Sequence, residues 1–185
     1  MKFVAAPTTV LTAILLALPI LTATAVGADI SADGAKRAGE IIAGIDSNIS
    51  WPDDKSFEGN GDLLVITAIG KSALFDELKK YNGKKTDEGR EIKFRVVDPD
   101  WMPANSHIVI FSGLDAQRTQ KLIGLLVNRG SLTITLGEGN SSWGSALNFV
   151  DIPSNVQTEL NLKVTKREGF TVAPSFIELA EVVDE

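Results

Sequence analysis

Residues 63–81 read LLVITAIGKSALFDELKKY, and this stretch decides the fold. Leu63 to Ile69 is a nearly unbroken apolar run, which predicts a strand buried on both faces. Gly70 ends the run. Ser72 to Tyr81 then carries Leu74, Phe75 and Leu78 on one side, the pattern of an amphipathic helix. A buried strand that turns directly into a helix is the repeating unit of a parallel sheet.

Working downstream, Glu91 to Val97 alternates Ile92, Phe94 and Val96 with charged neighbours and predicts an edge-type strand. Ile108 to Phe111 predicts a second strand buried on both faces. Asp115 to Asn128 predicts a helix with Leu122, Leu125 and Leu126 inward, stopped at Asn128-Arg129-Gly130. Leu132 to Leu136 predicts a strand, followed by the glycine-rich loop Gly137 to Gly144. Ala146 to Val150 and Val156 to Leu162 predict a strand pair joined through residues 151–155. Pro174 suits a first helical turn, and Phe176 to Val183 predicts a closing helix. Upstream, Ala35, Ala38, Ile41, Ile42 and Ile45 predict a helix over Gly34 to Asn48, with Asp33 as N-cap and Ser50-Trp51-Pro52 as its stop. The expected architecture is one α/β domain over residues 29–185, a mainly parallel sheet with helices on both faces and an antiparallel edge hairpin.

Composition removes many functions. The chain has 185 residues, 18 Lys+Arg against 24 Asp+Glu, a net charge of −6, one His and no Cys. Without cysteine there are no disulfides, iron–sulfur clusters, thiolate zinc sites, thiol nucleophiles or lipid-modified cysteine. One histidine does not furnish a multi-histidine metal shell, so neither a metal nor a cofactor is expected. The spread negative charge argues against nucleic acid, and no basic run offers an anionic-lipid patch. Residues 1–28 read as an export signal: Lys2, the apolar run Val10 to Leu21, then small-residue cleavage sites ending at Ala25 and Ala28. An uncleaved anchor is the alternative, against which the short run, Pro7 and Pro19 weigh. The expected location is the periplasm.

Several motifs invite a chemical reading. Gly70-Lys71-Ser72 lies between strand and helix, where phosphate loops lie, but the first glycine of such a loop would fall at Val65, inside the strand. A strand-to-helix turn with Ser72 as N-cap is the plainer reading, with a weaker anion site at that helix start as the alternative. In Gly139-Asn140-Ser141-Ser142-Trp143, a nucleophile elbow would require glycine at Trp143. A hydrolase using Ser141 or Ser142 would need His107 as base, and His107 precedes both serines. Gly137-Glu138-Gly139 begins like a dinucleotide fingerprint, yet Ser142 stands at the third glycine position. The carboxylate pairs Asp53-Asp54, Asp98/Asp100 and Asp184-Glu185 suit solvated or turn-capping roles. Trp51, Trp101 and Trp143 lie in loops, either as lids of the core or as aromatic anchors for a partner. The candidate partner- or ligand-binding residues are Trp51, Gly70, Lys71, Ser72, Gly139, Trp143 and Gly144, with no catalytic residue among them.

The ordered series carries a resemblance. A helix ending in Ser50-Trp51-Pro52 is followed by the strand to Gly70 and the helix with Phe75 and Leu78. Then come His107-Ile108-Val109-Ile110-Phe111-Ser112, Leu132-Thr133-Ile134 before a glycine loop, and Leu147-Asn148-Phe149. Glu159-Leu160-Asn161 and Gly169-Phe170 through Ser175-Phe176-Ile177-Glu178-Leu179-Ala180 close it. Over nearly all of residues 34–183 this order and spacing resembles the YfiR-like family of bacterial periplasmic proteins.

The resemblance implies a compact Rossmann-like domain and a non-enzymatic regulator. It also implies binding to the periplasmic part of a membrane signalling protein, a diguanylate cyclase or a sensor kinase. Repression of a cyclase would lower cyclic-di-GMP and biofilm output. An outer-membrane-associated protein that sequesters the regulator, and a homodimer, are implied as further partners. This chain departs from the family pattern in lacking cysteines, with Ser106 where members often carry Cys, so thiol redox control is excluded. Trp143-Gly144 also stands near where a glycine pair is usual. The alternatives are a periplasmic small-ligand sensor with a pocket near Gly70, the Gly137 to Gly144 loop and Trp143, and an exported hydrolase. A protein partner would present a basic patch to this acidic chain.

Overall fold

A computed structural model describes residues 29–52, 63–100, 105–153 and 155–183. The apolar run becomes β2 (Leu63–Gly70), preceded by α1 (Ala32–Ala43) and the short β1 (Ile49–Ser50). Ser72 caps α2 (Ala73–Lys79) by accepting the Leu74 amide. After it come β3 (Glu91–Val97), β4 (Ile108–Ser112), α3 (Ala116–Gly124), β5 (Leu132–Leu136) and a 3-10 turn at Asn140–Trp143. The chain closes with β6 (Leu147–Ile152), β7 (Asn155–Leu160), α4 (Leu162–Arg167), β8 (Thr171–Val172), α5 (Pro174–Leu179) and β9 (Glu181–Val182).

The main sheet has the order β3-β2-β4-β5-β6-β7-β9. Strands β3 to β6 run parallel in that arrangement, and β7 returns antiparallel to β6. Because β3 and β4 flank β2 on opposite sides, the topological switch point lies between β2 and β4. Alternation sorts the side chains into two layers. Leu64, Ile66, Ala68, Ile108, Ile110, Leu132, Ile134, Leu147 and Phe149 face α1 and α2 in the main core. Ile69, Val109 and Phe111 meet Ile123 and Leu126 on the α3 side in a smaller core. The doubly covered α/β sheet expected from sequence is what the chain forms.

Several local expectations are corrected. Ser31, not Asp33, caps α1, accepting the Gly34 amide, and Asp33 falls in the first turn. The helix stops at Ala43 and gives way to a 3-10 turn at Ile45–Ser47, so Ser50 joins β1, antiparallel to β8, instead of forming the stop. Leu126 is inward, but Leu125 is 44% exposed, because α3 ends at Gly124 and the helical period lapses there. Leu162 starts α4, capped by Asn161, a helix that apolar periodicity did not reveal. The closing helix ends at Leu179, and Glu181–Val182 pairs in parallel with β7. The β6–β7 hairpin is therefore one strand in from the edge. Residues 1–28, with the expected leader, and Asp53-Asp54, Trp101 and Asp184-Glu185 lie outside the described residues.

Candidate functional site

In open parallel sheets the loops beyond the strand C-termini, at the switch point, form the usual binding crevice. Here that crevice is closed by backbone. Gly70 takes φ +98°, and a Cβ there would collide with the Ser112 carbonyl oxygen. The Lys71 amide donates to the same oxygen at 3.1 Å. The turn after β2 and the turn after β4 thus pack main chain to main chain. The start of α2 is taken as well: Ser72 Oγ donates to Asp29 Oδ1 at 2.7 Å, and the Ala73 amide points to Asp29 Oδ2 at 3.4 Å. The chain's own carboxylate stands where an external anion would dock. Lys71 is exposed beside it.

The glycine loop after β5 shares this end of the sheet. Gly139 and Gly144, both left-handed, bracket its 3-10 turn. Beneath it lies a buried polar network. Thr135 Oγ1 lies 2.7 Å from Ser145 Oγ and 3.0 Å from Asn148 Oδ1, while Asn148 Nδ2 donates to the Gly137 carbonyl at 2.9 Å and to Glu159 Oε2 at 2.8 Å. Asn140 Nδ2 donates to the Leu136 carbonyl. These bonds fix the loop, and Trp143, half-buried, packs on the smaller core as its lid. The cavity between this loop and the N-terminal segment, lined by Asp29, Ile30, Glu138, Phe149 and Asp151, holds only 140 Å³. That is well short of the roughly 300–1,000 Å³ of typical ligand pockets.

Trp51 belongs to the other end. Its ring meets His107 edge-on at 5.9 Å and Phe170 at 5.4 Å, beside the N-terminal end of β4. Its Nε1 donates to Asp46 Oδ1 at 2.8 Å. Asp46 also accepts from Thr86 Oγ1 at 3.0 Å and pairs with Arg90 Nη1 at 3.2 Å. This clasp ties the chain after α1 to the turn before β3. Its signal in the sequence was one Asp within an otherwise apolar helical register. The structure therefore gathers Gly70, Lys71, Ser72, Gly139, Trp143 and Gly144 at one end and leaves Trp51 at the other.

His107 is 3% exposed, and its Nδ1 accepts the Val65 amide at 2.6 Å. Burial, reinforced by the nearby Arg90 charge, lowers its pKa from 6.5 to about 3. The ring is neutral at ordinary pH with Nδ1 already engaged, and it sits at the opposite end of the sheet from Ser141 and Ser142. Ser106, next to it, lies 2.7 Å from Thr67 Oγ1, and Arg95 donates to both hydroxyls. Asp98 caps a turn by accepting the Asp100 amide at 2.9 Å, and Asp100 pairs with Arg118. The turn-capping reading of that carboxylate pair holds.

The architecture defines a doubly wound α/β domain whose switch-point crevice is filled by its own main chain and carboxylate. Solved structures share that fold. An ABC domain in complex with L-Trp from Streptococcus pneumonia matches with a TM-score of 0.54 at 13% identity, covering 81% of this chain and 60% of its own. A conserved domain protein from Vibrio cholerae O1 biovar El Tor matches with a TM-score of 0.54 at 10% identity, covering 80% and 59%. The chain spans about three fifths of each of these two proteins. No curated protein matches the sequence. The model of the YfiR/HmsC-like family matches residues 36–181. The chain belongs to that family, a family of periplasmic regulators.

Proposed function

We propose that this chain is a non-catalytic periplasmic regulator that binds the periplasmic part of a membrane signalling protein. Its target is a diguanylate cyclase, which it represses, lowering cyclic-di-GMP and biofilm output. Family membership over residues 36–181 is the observation that carries this reading. The geometry supports it: the crevice is closed, the glycine loop is pinned, and His107 is buried with Nδ1 engaged. The cavity expected near Gly70 and the glycine loop is too small for a typical ligand, while the larger volume, about 490 Å³, is an open groove along α3 beside Asp100, Arg118 and Leu125. The reading includes export through residues 1–28, with cleavage after Ala25 or Ala28, and a folded unit spanning residues 29–185. A sensor kinase in place of the cyclase, an outer-membrane-associated sequestering protein and a homodimer belong to the same reading.

In-cell crosslinking of the tagged, exported chain, followed by mass spectrometry of captured membrane proteins, tests it. Capture of a diguanylate cyclase, with cyclic-di-GMP rising when the chain is deleted, is the expected result. Reproducible absence of any signalling protein, with crosslinking controls working, overturns it.

A further inference from the structure

The most exposed large apolar side chain among the described residues is Leu179, at 84%, and Val182, at 41%, follows it in the outermost strand. Strand β9 has a sheet neighbour only on its β7 side among the described residues. Val183 N–H bonds the Leu160 carbonyl at 3.0 Å, so strand alternation turns the N–H and C=O of Val182 away from β7, toward the open edge. Open edges of this kind accept further strands unless they are blunted by charge or cover.

The charge at this edge is one-sided. In register, Glu181 lies directly opposite Glu159 on β7, and Val182 opposite Leu160. Like charges opposed on neighbouring strands repel. Each carboxylate is held by a neutral amide, Asn148 for Glu159 and Gln157 for Glu181. Exposed Glu178 stands nearby in the chain. Among the described residues none of these three glutamates forms an ion pair with Lys or Arg. The opposite edge differs: at β3 the Ile92 amide is bonded to the Lys84 carbonyl and the Phe94 amide to Asn82 Oδ1, and Lys93 and Arg95 lie along the strand.

We propose that the β9 edge is a docking surface for an extended segment of another protein, in which Lys or Arg alternates with apolar side chains. An added strand would bond the outward groups of Val182 and set its cationic residues on the Glu159/Glu181 face. Its apolar residues would lie on the Val182 face, with exposed Leu179 three residues earlier in the chain as a further apolar contact. Strand addition takes affinity from main-chain bonds and specificity from alternate side chains. This inference rests on the partner-binding reading above and assigns it a surface.

The test uses purified exported chain and a fluorescently labelled six-residue peptide of alternating lysine and valine, followed by anisotropy. Binding that weakens with added salt is expected. Glu181→Lys should weaken it at least about ten-fold with an unchanged melting temperature, and Leu179→Ser several-fold, because rim charge and the apolar anchor act separately. Replacing a central valine of the peptide by proline should abolish binding. No binding at millimolar peptide, equal binding by Glu181→Lys, or equal binding of the proline peptide overturns the proposal. If crosslinking recovers a signalling partner while the peptide fails, only the assignment of the edge falls.

Discussion

His107 Nδ1 receives the amide hydrogen of Val65 at 2.6 Å, locking the residue before β4 to the middle of β2. A nitrogen that accepts this bond has no room for a proton. Burial, and then the Arg90 charge, hold the ring neutral, with a pKa of about 3 against 6.5 for a free histidine. The protein's only histidine is a splice between two strands.

That splice makes stability depend on pH. Between pH 6.5 and about 3 the unfolded chain binds a proton that the folded chain refuses, so stability falls as pH falls through that window and levels off below it. From pH 7 to pH 4.5 this one group should cost roughly 2–3 kcal/mol. Urea unfolding at the two pH values should show a smaller difference for His107→Gln than for the parent chain. An identical pH dependence in the two would refute this role for the ring.

Gly70→Ala places a Cβ against the Ser112 carbonyl in a backbone at φ +98°. Both strain and collision act, and the collision partner is main chain. A loss of at least about 3 kcal/mol is expected in chemical denaturation. Gly139→Ala, at φ +75° with no atom within 4 Å of the new Cβ, should cost only about 1 kcal/mol.

Asp46 concentrates three partners on one buried carboxylate: Trp51, Thr86 and Arg90. Asp46→Ala leaves the Trp51 indole N–H and the Thr86 hydroxyl without that acceptor and Arg90 without this counter-charge. About 3–5 kcal/mol of destabilisation is expected, as for other broken buried pairs. Tryptophan emission should shift to the red as the ring loses its tether. An unshifted spectrum with unchanged stability would show that the clasp is dispensable.

Thr135→Val keeps the shape of the β5 side chain and removes the hydroxyl shared with Ser145 and Asn148. Leaving these groups unsatisfied should cost about 1–3 kcal/mol. Amide exchange in residues 137–144 should quicken more than in β2. Uniform exchange across the sheet would mean that the network does not pin the loop.

Much of this was legible in the residues. β2 and β4 announced themselves because a strand covered on both faces is apolar at nearly every position; β5 was legible despite its two buried threonines, because a β-branched run of this length between turn residues reads as a strand. The cap at Ser72 was equally local. The cap of α1 was not: Ser31 and Asp33 are both competent caps, and Ser31 is placed by contacts far along the chain, its amide held by Asp151 at 2.8 Å. The two-residue strands β8 and β9 have no period to read. They exist because β1 and β7 present edges to them.

The candidate site divides in the same way. Its glycines could be chosen from sequence because turns demand their φ angles, and Trp143 because it stands among them. That Trp51 lies at the opposite end of the sheet, against His107 and Phe170, depended on strand order. So did the closing of the crevice by Asp29 and Ser112, and the meeting of Glu159 with Glu181. The sequence by itself determined the strands β2 to β7 and the helices α1 to α3, the mainly parallel sheet, and the absence of thiol chemistry, since periodicity and composition are properties of neighbouring residues. Only the tertiary structure decided which ends of those segments meet and which edge is left without a neighbour among the described residues, because pairing between distant segments is settled by packing, which no local pattern records.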